Sequence, residues 1–185
     1  MKQPAIFLDR DGVIIENCSN YVRSWADVEI FPQALAALAA VRESPYRIIL
    51  VTNQSAVGRG LISHATASAI NERLLGVIRA AGGRIDAVYM CPHGPDDRCA
   101  CRKPLPGLLL QAAEDLDIDL TRSVMIGDAL SDVQAGQAAG VSQSILLRTG
   151  RGRAQEQLPA AAGLPPISVY ETLTDALNSL AELQS

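Results

Sequence analysis

Two aspartates two residues apart, Asp9 and Asp11, end the apolar run Ala5-Ile6-Phe7-Leu8 and lead into Gly12. In an extended strand, positions i and i+2 share a face, so both carboxylates can address one cation or one phosphoryl group. Gly12 lets the backbone turn sharply straight after them. By itself Asp9-Arg10-Asp11-Gly12 reads first as an acidic strand-to-loop turn, and later segments reverse that balance. Thr52-Asn53-Gln54-Ser55 ends a second apolar run, Ile48–Val51. It can hold anionic oxygens with a hydroxyl and adjacent backbone N–H groups, or be a polar turn. In Arg102-Lys103-Pro104, the lysine can neutralise a phosphate as a point charge while the arginine clasps a second anion bidentately. Asp128 follows Val124-Met125-Ile126-Gly127 and completes a three-carboxylate neighbourhood with Asp9 and Asp11. Hard oxygen donors of this kind suit Mg²⁺, which takes phosphate oxygens as further ligands. Asp132 either orients Lys103 from behind the metal ligands or serves as an acid in the first turn of a helix.

A second cluster is chemically softer. Cys91, His93, Cys99 and Cys101 offer three thiolates and an imidazole within eleven residues. That set suits tetrahedral Zn²⁺, and four protein ligands leave no open position, so the expected metal is structural. Chance clustering of reduced thiols is the alternative. Cys18, His64 and Trp25 are read as an ordinary thiol, a surface histidine and a packing aromatic.

These residues need a scaffold that brings them to one edge. Strands are expected near Ala5–Leu8, Arg47–Thr52, Ile85–Met90, Ser123–Ile126 and Ser144–Arg148. Helices are expected near Pro32–Arg42, His64–Ala81, Pro106–Leu116, Leu130–Ala139 and Thr172–Leu183. Ser63 is a candidate N-cap, and Gly82-Gly83 and Gly140 are candidate stops. Alternation of this kind predicts an α/β fold, a Rossmann-like, mostly parallel sheet with helices on both faces. Asp9, Asp11, Thr52 and Asp128 then all fall beyond carboxyl ends of strands, where such sheets bind ligands. Gly150–Pro166 reads as a surface connection. One domain is expected across residues 1–185, with the zinc loop at 91–101.

Composition narrows the partners. With 48% hydrophobic and 19% charged residues the chain is expected to fold rather than stay disordered. A net charge of −4 offers no global basic field for nucleic acid. Neither a membrane span nor a signal peptide is read in the sequence, so a cytoplasmic protein with no membrane partner is expected.

Taken together, the motifs Asp9-Arg10-Asp11-Gly12, Thr52, Lys103 and Gly127-Asp128 with Asp132 resemble the haloacid-dehalogenase (HAD) phosphatase superfamily, in order and over about Ala5–Gly150. The Cys-x-His…Cys-x-Cys insertion before Arg-Lys-Pro narrows this to heptose bisphosphate phosphatases and, less closely, histidinol-phosphatase domains. Thr-Asn-Gln-Ser followed by Gly58-Arg59-Gly60 is more similar to the heptose branch. Ala56 departs from a usual glycine, and the Glu16–Tyr21 loop is of a kind that varies in length.

The resemblance implies a cap-less HAD core that releases phosphate from a small sugar bisphosphate, through an aspartyl-phosphate and in surface-glycan synthesis. It makes Asp9 the nucleophile and Asp11 the general acid and base. Thr52 and Lys103 stabilise the transferring oxygens. Mg²⁺ is held by Asp9, the Asp11 carbonyl and Asp128. Ser19, Asn20, Tyr21, Asn53, Gln54, Ser55 and Arg102 contact the substrate, Arg102 at the far phosphate. A monomer is expected. Histidinol-phosphate hydrolysis is the alternative activity, and a zinc-stabilised binding module the non-enzymatic one.

Overall fold

The computed structural model describes residues 2–182. Six strands, β1 (Ala5–Leu8), β2 (Arg47–Asn53), β3 (Ala87–Cys91), β4 (Val124–Gly127), β5 (Gln143–Leu147) and β6 (Ser168–Tyr170), form one sheet. The order is β3-β2-β1-β4-β5-β6, with every neighbouring pair parallel. Helices α1 (Pro32–Ala40), α2 (Ser55–Gly58), α3 (His64–Ala80), α4 (Gly107–Asp115), α5 (Leu130–Ala139), α6 (Gly152–Glu156), α7 (Pro159–Ala162) and α8 (Leu173–Glu182) complete it.

The central strands are apolar throughout because both sheet faces are covered. Alternate residues divide between two cores. Ile6, Leu8, Ile48, Leu50 and Ile126 pack with Leu38 of α1, Leu74 and Ile78 of α3, and Leu173 and Leu177 of α8. Phe7, Ile49, Val51 and Met125 face the other way, onto Leu108 and Leu109 of α4 and Ala135 of α5. Each large side chain so buried contributes about 1.5–3 kcal/mol. The central register sets Leu8 beside Leu50 on one flank and Ile126 on the other. Ser63 Oγ accepts from Thr66 N at 3.0 Å to start α3, and Gly140 stops α5 in the left-handed region at φ 80°.

From β1 the chain builds outward to β2 and β3, then returns to β4 beside β1 and builds outward the other way. That reversal opens a crevice between β1 and β4 at their carboxyl ends. Asp9 leaves β1 there, and Asp128 leaves β4.

Three expectations need correction. The strand predicted at Ile85–Met90 starts later and reaches Cys91, because Asp86 pairs with Ile48 at its entry. The Asp86 amide donates to Ile48 O, and its carboxylate accepts from Ile48 N, both at 2.7 Å. Gly150–Pro166 is no bare connection, since it carries α6 and α7. A sixth strand, β6, follows it and was not predicted; three part-buried residues beside β5 are too short to show alternation. The last helix, predicted to Leu183, is described to Glu182, and Leu183 lies outside the described residues.

Between β1 and α1 the chain makes only a loop, with single bridges Asp11↔Ile15 and Ile15↔Ile30 and a short 3-10 turn at Trp25–Asp27. Among the described residues no inserted cap domain covers the sheet edge. Nor is any helix there long and apolar enough to cross a membrane.

Candidate active site

Lys103 is the centre of the site. Its ammonium donates to Asp9 Oδ1 at 2.8 Å, Asp132 Oδ1 at 2.7 Å and Val51 O at 2.8 Å, which uses all three of its hydrogens. The residue is 3% exposed. Burial alone would lower its pKa; the charges of Asp132 and Asp9 outweigh that and raise it, so the group stays an ammonium. Asn53 places it, accepting from Lys103 N at 3.1 Å and donating to Lys103 O at 3.0 Å. The Lys103-Pro104 peptide is cis. Asp132 reaches in two directions. One carboxylate oxygen meets Lys103, and the other accepts from Ala129 N at 3.1 Å at the start of α5. Burial pushes the Asp132 carboxyl up and Lys103 pulls it back.

Asp128 is fully buried beside this pair. Its Oδ2 accepts from Asn17 Nδ2 at 2.6 Å and Arg151 N at 2.8 Å, whereas Oδ1 is buried with no hydrogen-bond partner. Burial, then the nearby charge of Asp9, raises its pKa. Two glycines permit this packing. A Cβ on Gly12, at φ +81°, would stand 2.0 Å from Asp128 Oδ2, and one on Gly150, at φ +53°, would stand 2.5 Å from it. Carboxylate oxygens of Asp9, Asp128 and Asp132 lie within 4.8 Å of one another, so Asp132 stands where Asp11 was expected; the Asp11 carboxylate turns instead to Arg10 and Gln54. An unpartnered buried carboxylate oxygen among hard donors fits a small divalent cation such as Mg²⁺.

The remaining predicted residues arrange themselves unequally. Thr52 is buried, its Oγ1 accepting from Gln54 Nε2 at 2.8 Å. Gln54 also donates to Asp11 Oδ2 at 3.1 Å. Ser55 Oγ accepts from Arg102 Nη1 at 2.8 Å, and the same nitrogen donates to His93 O. A cavity of about 940 Å³ opens over these groups, with Asp11, Gln54, Lys103, Ser19, Tyr21 and Arg102 in its wall. Asn20 is not in that wall; it is exposed, and its carbonyl accepts from Arg23 Nε. Tyr21, at φ 63°, holds a conformation that bulky residues seldom adopt. Its loop is pinned by Arg59 over Tyr21 at 5.9 Å and Arg73 over Trp25 at 4.6 Å.

Cys91, His93, Cys99 and Cys101 converge, with donor atoms within 4.8 Å of one another. A zinc tetrahedron with bonds of about 2.3 Å to sulfur has sulfur–sulfur edges of roughly 3.8 Å. The Cys91–Cys99 edge is 3.8 Å and the Cys91–Cys101 edge shorter, at 3.0 Å. All four chain cysteines are free. Burial pushes the Cys91 thiol up to about 12, a cost that a bound dication reverses by holding the thiolate.

Comparison with known proteins agrees with this geometry. A family model described as HAD-hydrolase-like matches residues 100–176. The D-glycero-β-D-manno-heptose-1,7-bisphosphate 7-phosphatase of Bordetella bronchiseptica is 42% identical over 160 residues, covering 86% of this chain and 87% of that protein. The enzyme of the same name from Yersinia pestis is 36% identical, covering 97% of this chain and 93% of its own length. The chain belongs to the heptose-1,7-bisphosphate 7-phosphatase family of the HAD superfamily. It is a phosphoric monoester hydrolase. The crystal structure of the B. bronchiseptica D,D-heptose 1,7-bisphosphate phosphatase, complexed with magnesium and phosphate, superposes with a TM-score of 0.90 at 39% identity. The match covers 97% of this chain and 99% of that one. The counterpart from Burkholderia thailandensis gives 0.73 at 32% identity, covering 97% and 99%.

Sequence reasoning missed four polar residues that this phosphatase fold draws into the site. Asn17 and Arg151 hold Asp128; Arg10 and Asn71 join behind Asp11. Arg10 carried a signal, a charge set between two site residues at the end of a buried strand. Asn17, Asn71 and Arg151 carried none, because their partners lie far off in the chain.

Proposed function

We propose that this chain hydrolyses the 7-phosphate of D-glycero-β-D-manno-heptose 1,7-bisphosphate, with Asp9 as nucleophile. One juxtaposition carries the reading. The buried Lys103–Asp9 pair stands beside the unpartnered Asp128 oxygen, under a cavity whose wall also holds Arg102. A cavity near 940 Å³ suits a sugar with two phosphates, and the names of the relatives support the β anomer.

Asp9 attacks phosphorus in line, forming an oxygen–phosphorus bond as the bond to the sugar oxygen breaks. Asp11 gives that departing oxygen a proton, then takes one from the water that cleaves the aspartyl-phosphate. Thr52, and Lys103 as its bond to Asp9 gives way when that oxygen attacks, stabilise the equatorial oxygens, where the transition-state charge collects. Mg²⁺ would be held by Asp9, Asp128 and the Asp11 carbonyl, and when bound it offsets the charge between nucleophile and phosphoryl group. Arg102, with Ser55, Ser19 and Tyr21, binds the rest of the substrate; Asn53 and Gln54 hold Lys103, Thr52 and Asp11 in place. Zn²⁺ at Cys91, His93, Cys99 and Cys101 fixes the loop that delivers Arg102 and Lys103. The enzyme acts in the cytoplasm as a monomer, one phosphatase unit across residues 1–185, and supplies heptose for lipopolysaccharide or other surface glycans.

The test is phosphate release with Mg²⁺ from both heptose bisphosphate anomers, histidinol phosphate and a 3′-phosphorylated oligonucleotide. Preference for the β bisphosphate is expected. Preference for histidinol phosphate would keep the chemistry and discard the substrate, and inactivity on all four with metals bound would favour a binding module.

A further inference from the structure

Arg10 is a buried cation that none of the steps above employs. It sits in the bend just past β1 and is 1% exposed. Its Nη1 donates to Asn71 Oδ1 on α3 at 2.8 Å. Its Nη2 lies 3.1 Å from both carboxylate oxygens of Asp11 and 3.1 Å from Gln54 Oε1. Nε has no partner, so the guanidinium's contacts all come from its fork. Asn71 is itself 4% exposed, with its Nδ2 against Met90 Sδ at 3.8 Å. Nothing solvent-borne competes for either group.

We propose that Arg10 and Asn71 are a positioning pair for Asp11. Asn71 fixes the guanidinium, the guanidinium grips both oxygens of the carboxylate, and Gln54 ties that carboxylate to Thr52. The Asp11 side chain is 21% exposed at the cavity and has free torsions of its own. An acid must stay within hydrogen-bond reach of the departing oxygen to transfer its proton as the phosphorus–oxygen bond breaks. The inference rests on the role given to Asp11 above.

Leaving groups separate positioning from folding. An alkyl phosphate needs the departing oxygen protonated, whereas p-nitrophenyl phosphate expels a stable phenolate without help. In Asn71→Leu, kcat/KM for the alkyl phosphate should fall by about tenfold or more, a part of what general acid catalysis supplies. The aryl phosphate should change by less than about threefold, and the loss should not add to that of Asp11→Asn. Asn71→Asp, which keeps the acceptor oxygen, should recover most alkyl turnover. Arg10→Lys, with charge but no fork, repeats the test if Asn71→Leu does not fold. Equal losses on both substrates in these variants, or unchanged alkyl turnover, would overturn the pair. If Asp11→Asn itself fails to discriminate, the acid role falls and the pair with it. If Asp11→Asn discriminates and Asn71→Leu does not, only the pair is wrong.

Discussion

Replacing Lys103 with methionine tests the electrostatics of the site without using turnover. The substitution keeps the aliphatic stem and removes the ammonium from Asp9 Oδ1, Asp132 Oδ1 and Val51 O, at 2.8, 2.7 and 2.8 Å. Two carboxylates 6% and 2% exposed then lose their cation, with the buried Asp128 close by. Removing one partner of a buried ion pair costs about 3–5 kcal/mol. At about 2–4 °C per kcal/mol for a chain of this size, the melting temperature should fall by roughly 6–20 °C. The sign of the pH dependence follows from the carboxyls. Burial already raises the pKa of Asp128 and Asp132, and losing Lys103 removes what pulled Asp132 back. A folded state whose carboxyls bind protons more tightly than the unfolded chain is favoured below the unfolded pKa and loses that advantage as pH rises. The deficit of Lys103→Met should therefore be largest near pH 8 and narrow toward about pH 5. Thermal unfolding of both proteins in magnesium-free buffer across that range reads it out. Equal melting temperatures near pH 8, or a deficit that widens on acidification, would refute the reasoning.

Three other substitutions are informative. Asp128→Asn removes a charge whose pKa is raised by burial and by Asp9, so the metal-free protein should melt no lower than wild type near pH 8. The same variant should lose the rise in melting temperature that added Mg²⁺ produces, as read by calorimetry. Cys101→Ser should lower zinc content, measured by elemental analysis, and thermal stability together; normal stability without zinc would reject a structural metal. Arg102→Ala frees Ser55 and should reduce kcat/KM for a bisphosphate about tenfold more than for a monophosphate, the scale of one charge-assisted contact. Equal losses would reassign it.

Much of this was readable in one dimension, for physical reasons. β1 and β2 are buried on both faces, so each shows as an unbroken apolar run with its polar cargo at the end. The strand ends bring Asp9, Thr52 and Asp128 to one edge because parallel strands share direction. The softer cluster was visible because its ligands are local, within eleven residues. β6 escaped because a short strand beside β5 needs no pattern of its own. Asn71 escaped because it sits on the buried face of a helix and meets Arg10 across 61 positions, a contact that neither propensity nor periodicity encodes. Asn20 was placed by its neighbours in sequence and turned outward by the loop.

The joint between the two halves of the sheet has a consequence for how the enzyme can be watched. β1 and β4 are paired at only three positions, and the next rung is made by Asp9 itself, whose amide donates to Ile126 O at 3.0 Å. The groups for phosphate, Thr52 and Lys103, come from one half; Asp128 and Asp132 come from the other. Any opening of that seam parts Asp128 from Asp9, and Asp132 from Lys103, although no side chain has changed. Exchange of the Asp9 amide proton with solvent thus counts the moments when the two halves are apart, an intrinsic gauge of the intact site in the resting enzyme.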